Sequence, residues 1–86
     1  MEEENREVIE LHKIVILQAL DFGPLDTAAL SAAVQKILSE GTPSIFSHIA
    51  LGEAHRELLA AELVEKVEWP VWGLTPEGRE ELRKEG

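Results

Sequence analysis

The sequence predicts a mainly α domain with one small antiparallel β-hairpin, ordered helix, helix, helix, hairpin, helix. Apolar residues recur at three- and four-residue spacing from Val8 to Leu20 and again from Leu30 to Leu38. Short β-branched runs, Leu63-Val64-Glu65-Lys66-Val67-Glu68 and Val71-Trp72-Gly73-Leu74, flank a Trp69-Pro70 pair, the pattern of a hairpin with a tight turn. Thr75-Pro76-Glu77 then opens a helix: Thr75 can cap it, Pro76 suits its first position, and Glu77 favours the positive end of its dipole.

Each element can be justified in chain order. Met1 to about Glu7 is acidic and polar and is expected to be a frayed end. Val8, Leu11, Ile14 and Val15 start the first helix. Ile9, Ile16, Leu17 and Leu20 carry its apolar surface most of the way round, as in a helix central to the core or shared with another subunit. Asp21-Phe22-Gly23-Pro24 stops it. Leu25-Asp26-Thr27 offers one or two residues of strand pairing and then a cap. The second helix spans about Thr27 to Ser39, with Leu30, Ala33, Val34, Ile37 and Leu38 on one stripe, and Glu40-Gly41-Thr42-Pro43 ends it. The third runs from about Ser44 to Glu62, with Gly52 marking a kink or a fresh start. On a wheel of about 100° per residue, Ala50, Leu51, Ala54, Leu58 and Ala61 form its buried stripe. His48, Gly52, His55, Arg56 and Leu59 gather on roughly the opposite side. Strand alternation sends Trp72 and Leu74 toward the core and leaves Trp69 at the turn. The last helix, Thr75 to about Lys84, is short and charged.

Eighty-six residues, 44% of them apolar, fit one domain with a modest core and argue against global disorder. The chain has no cysteine, hence no disulfide framework and no thiolate chemistry. Its apolar runs, such as Ile14-Val15-Ile16-Leu17, are far too short to cross a bilayer, so no membrane partner is expected. The acidic start lacks the basic run that opens a secretory signal, and a cytoplasmic protein is expected. No tyrosine, glycine-rich phosphate loop or acid/base constellation points to catalysis, and nothing points to a cofactor. His48 and His55 are two helical turns apart, too far to share a metal ion, and no third ligand accompanies them.

The net charge is −9. Residues 1–26 hold seven acids and two bases, and residues 44–63 hold three acids and one base. No segment is net basic, so duplex phosphates would repel the chain at long range. Arg56 can grip a guanine or a phosphate, or pair with Glu53 one turn back. Trp69 can fold over the hairpin base or anchor a protein partner.

Trp72-Gly73-Leu74-Thr75-Pro76-Glu77-Gly78-Arg79 resembles the aromatic-x-Leu-Thr-x-x-Gly-Arg end of the wing in PadR-like and MarR-like transcription regulators. It is also similar to the N-terminal winged-helix domain of Mrr-type restriction proteins. Leu58 to Glu65 resembles the Leu-x-x-x-Gly-Leu-Val-Glu that leaves the recognition helix in those families, with Glu62 in place of the usual glycine. The resemblance implies a winged helix-turn-helix domain whose third helix and wing contact the ligand. Carried over by position, the reading surface would include Ser44, Ser47, His48, Gly52, His55 and Arg56, with Lys66, Glu68 and Trp69 on the wing. It further implies a DNA-associated regulator acting as a homodimer through the first or last helix. The charge map supports a different employment, a winged helix repurposed as an acidic protein-interaction module, an inhibitor or adaptor that leaves DNA alone. The likeness places the DNA-associated reading first.

Overall fold

The computed structural model describes residues 2–40 and 46–85, with side chains at 6–40 and 46–84. Its elements are α1 (Glu2–Asp21), β1 (Leu25–Asp26), α2 (Thr27–Ser39), α3 (His48–Ala60), β2 (Val64–Glu68), β3 (Val71–Leu74) and α4 (Pro76–Glu85). The protein is mainly helical with a small three-stranded antiparallel sheet, in the order β1-β3-β2.

Helix α1 begins at Glu2, so the segment expected to fray is helical. Glutamate and arginine are good helix formers. Arg6 also ties this stretch down, bonding Glu10 one turn on at 2.6 Å and Glu57 of α3. Further along, Val15, Ile16, Leu17, Ala19 and Leu20 are buried. They join Leu30, Val34 and Leu38 of α2, Ala54 and Leu58 of α3, and Val64 and Trp72 of the sheet in one apolar cluster. Helix α1 is therefore the central helix, packed by α2, α3 and α4.

Asp26 caps α2, its Oδ1 accepting the Ala29 N–H at 2.7 Å. Thr27 spends its own N–H on the Pro70 carbonyl, 3.1 Å away, which binds the start of α2 to the hairpin turn. Trp72 donates its indole N–H to the Thr27 hydroxyl at 2.9 Å, reinforcing that junction from inside.

Helix α3 starts at His48, later than about Ser44, because Ser47 is extended and its hydroxyl accepts the Ala50 N–H. It runs through Gly52 without a break, so that glycine marks neither a kink nor a restart. It stops at Ala60 rather than Glu62. Glu62 takes a left-handed φ of 62°. The Glu62 N–H returns to Leu59 O and the Leu63 N–H to Leu58 O, the paired bonds of a Schellman end.

Strands β2 and β3 pair as the hairpin, Val64 with Leu74 and Lys66 with Trp72, and Val67 bulges between Lys66 and Glu68. On its other edge β3 pairs with β1, Leu25 facing Trp72. Thr75 then locks the hairpin exit to the end of α3. Its hydroxyl donates to Glu62 O at 2.7 Å, its N–H to Leu63 O at 3.2 Å, and the hydroxyl accepts the Gly78 N–H at 3.0 Å. Gly78 sits so close to the Leu63 carbonyl that a Cβ on it would overlap that oxygen. The Leu-Thr-x-x-Gly run is thus a local interlock between residues 62–63 and 75–78.

Candidate interaction face

The outward side of α3 and the hairpin turn carry those sequence-predicted residues that stand exposed, His48, Gly52, Arg56, Lys66 and Trp69. At about 100° per residue, His48, Gly52, Arg56 and Ile49 fall on one side of α3, opposite the buried Ala50, Ala54 and Leu58. His48, Gly52 and Arg56 are all exposed. His48 rests edge-on against Phe46, with ring centroids 4.8 Å apart. The space around Gly52 is open.

Arg56 points outward, its side chain 76% exposed, and its guanidinium lies 3.2 Å from Glu53 Oε1. It is the only Lys or Arg on α3. The outward side of this helix therefore carries one cation, already partnered by an acid one turn back. Such an exposed i,i+3 pair is worth about 0.3 kcal/mol, little enough for a stronger ligand to break.

The other candidates divide. Ser47 spends its hydroxyl on the α3 cap and its N–H on His12. Ser44 lies outside the described residues. His55 departs from the outward side: it is half-buried at the margin of α3 nearest the hairpin, and its ring meets Trp72 edge to face at 4.4 Å. Burial pushes its pKa below the ordinary 6.5. Its Nε2 is buried with no hydrogen-bond partner among the described residues. Trp69 stands 70% exposed at the turn, edge-on to Trp72 at 6.0 Å. His55, Trp72 and Trp69 thus make a continuous aromatic ladder from α3 to the tip of the hairpin. Lys66 is exposed on β2 between Glu65 and Glu68, which are exposed as well.

Two contributors escaped the sequence reading. Ile49 is 82% exposed. Its wheel position, about 20° from Arg56, was the available signal. His12 is wholly buried on α1 and bonds at both nitrogens. Its Nδ1–H donates to Val8 O at 2.8 Å and its Nε2 accepts the Ser47 N–H at 3.2 Å. No local pattern marks it, because its partner lies on another element.

Behind the face, Glu57 anchors α3 to α1. Arg6 Nη1 donates to Glu57 Oε2 at 2.7 Å and Lys13 approaches Oε1 at 3.4 Å. The Arg6 hydrogen bond holds the Glu57 carboxyl down at about 2, and in return Glu57 raises the Arg6 guanidinium above its ordinary value.

Among the described residues no group of three His, Cys, Asp or Glu is placed to hold a metal ion. No described helix is long and apolar enough to cross a membrane. No protein-family model matches this chain, and no curated protein or solved structure shows significant similarity to it.

Proposed function

We propose that the chain is a winged helix-turn-helix module that works by binding a protein partner through the outward side of α3 and the hairpin turn. Support for the winged-helix reading comes from the order of the elements and from the β1-β3-β2 sheet, which sets a hairpin wing beside α3. One observation carries the choice of ligand. Helix α3 exposes Ile49 at 82% and the hairpin turn exposes Trp69 at 70%, while the single arginine of α3 is paired with Glu53. Exposed aliphatic and aromatic anchors suit a protein interface. Duplex recognition draws on several unpaired cations for phosphates and guanines, and the wing here sets Lys66 between two acids.

The alternative is a DNA-associated regulator. His48, Gly52 and Arg56 stand in line on the exposed side of a helix flanked by a wing, the arrangement from which such domains read a groove.

The two readings separate by titrating a labelled mixed-sequence duplex with the protein at about 50 mM salt. No binding at micromolar protein supports the protein-interaction reading. Saturable binding that weakens steeply with salt and is lost in Arg56→Ala establishes the alternative. A partner recovered from the native cell and lost with both Ile49→Glu and Trp69→Ala would identify the face directly.

A further inference from the structure

His55 joins α3 to the middle strand of the sheet. Its imidazole stands edge to face against Trp72, ring centroids 4.4 Å apart and planes at 88°. Trp72 in turn meets Trp69 of the hairpin turn. A neutral imidazole can rest there with Nε2 buried and unbonded among the described residues. An imidazolium cannot, because it carries a proton on each nitrogen and its charge needs water or a carboxylate. None of the charged groups on the elements around the ring meets that need. On β2, Lys66 stands opposite Trp72 in the pairing register, and Glu65 and Glu68 are exposed to solvent. On β3, Val71, Gly73 and Leu74 are uncharged. At the start of α2, Asp26 accepts the Ala29 N–H, and the Thr27 hydroxyl accepts the Trp72 indole N–H. From α1, Arg6 and Lys13 reach Glu57. Along α3, Glu53 is paired with Arg56, and the residues one turn either side of His55, Leu51, Gly52, Leu58 and Leu59, carry no charge. Burial is accordingly what lowers the pKa of His55.

We propose that His55 is a proton-operated joint between α3 and the hairpin: neutral, its ring rests on Trp72 and closes the aromatic ladder; protonated, the ring swings into water and uncovers Trp72. The movement is short, because His55 is only half-buried, at the margin between the buried and outward sides of α3. It also leaves the other fastenings of the hairpin in place. Thr75 holds the hairpin exit to Glu62 O and Leu63 O, and Thr27 holds the turn through Pro70 O. Opening is therefore local, short of unfolding. The closed form is complete above pH 6.5 and gives way as pH falls through the lowered folded value. The joint is a property of the free chain. Its bearing on a partner rests on the protein-interaction reading above, in which acid would remodel the surface beside Trp69.

The chain has three histidines and two tryptophans, so each reporter can be isolated. Long-range 1H–15N NMR from about pH 8 to about pH 4.5 follows the protonation of each imidazole. Trp69→Phe leaves Trp72 as the one indole that emits. In that variant the emission should move to longer wavelength in step with protonation of His55, while the far-UV circular dichroism holds. Adding His55→Gln should remove the shift, and adding His48→Gln, which alters an exposed imidazole, should keep it. Emission that stays put while the His55 ring charges, a shift that survives His55→Gln, or a His55 that stays neutral until the far-UV signal is lost would overturn the proposal. All of these readouts are taken without a partner, so their failure would leave the protein-interaction reading to its own test.

Discussion

Ser47 donates its backbone N–H to Nε2 of His12, a bond of 3.2 Å across 35 residues of sequence. The same serine caps α3, so the start of the outward helix hangs from the buried side of α1 through one imidazole. The other ring nitrogen is spent on Val8 O, which fixes the tautomer that leaves Nε2 free to accept. His12→Leu keeps most of the volume but orphans the Ser47 N–H, and should cost about 1–3 kcal/mol in urea unfolding. His12→Ala adds a cavity and should cost about 2–4 kcal/mol.

The contrast between His12 and the hairpin measures how far the sequence alone could be read. Trp69-Pro70, the Thr75 cap and the Asp26-Thr27 helix start are local signals, and each element they mark lies where that local chemistry puts it. The His12–Ser47 bond joins residues with no sequence relation, and imidazole on a helix has no periodicity of its own. His55 shows the same limit. Its wheel position lies at the edge of the outward side, and only the packing of β3 decides that its ring turns to Trp72. For the first residues of α1 the signal was present but read as polarity. The tie that holds them helical, Arg6 to Glu57, spans 51 residues.

The two glycines with contrasting surroundings should respond in opposite directions. A Cβ on Gly78 would overlap the Leu63 carbonyl, part of the backbone that Thr75 also grips. Gly78→Ala must push α4 off the hairpin exit and should cost about 3 kcal/mol or more. Gly52 is exposed within α3 and a Cβ there meets nothing within 4 Å. Gly52→Ala should stabilise by about 0.5–1 kcal/mol. Thermal unfolding of both variants at fixed pH checks the pair.

Acid should weaken the fold in two separable steps. Burial lowers the His55 pKa below 6.5, so the unfolded chain takes up that proton first. Its contribution is complete above pH 6.5 and is lost as pH falls from there through the folded value. Glu57 is held at about 2 against an ordinary 4.5, chiefly by the Arg6 hydrogen bond. Its contribution is complete above pH 4.5 and fades toward pH 2. His55→Gln should flatten the first step and Glu57→Gln the second. The Glu57 pair is solvent-accessible, so added salt should shrink the second step and leave the first. Urea midpoints measured across pH 7.5 to about 2.5, at low and high salt, test both. A Glu57→Gln profile that matches the unmodified chain below pH 4.5 would refute the second assignment.

Glu62 lies two residues beyond the end of helix α3, at a left-handed position of the kind that glycine usually fills. The geometry that glycine serves is nonetheless kept: φ is 62°, with Leu63 N–H bonded to Leu58 O at 3.0 Å and Glu62 N–H to Leu59 O at 3.1 Å. A side chain at left-handed φ is strained by contact between its Cβ and the backbone, and glycine is not. Glu62 is exposed, and the contact it contributes inward is its carbonyl, which accepts the Thr75 hydroxyl and is present in any residue. Substitution by glycine therefore removes strain without removing that bond, offset in part by the greater freedom of glycine in the unfolded chain. Glu62→Gly should stabilise by about 0.5–1 kcal/mol, and Glu62→Val, β-branched at the same φ, should destabilise by about 1 kcal/mol or more. Guanidinium unfolding of the two variants decides it. Loss of stability in Glu62→Gly would mean that the glutamate side chain holds α3 to the hairpin in a way its exposed position does not reveal.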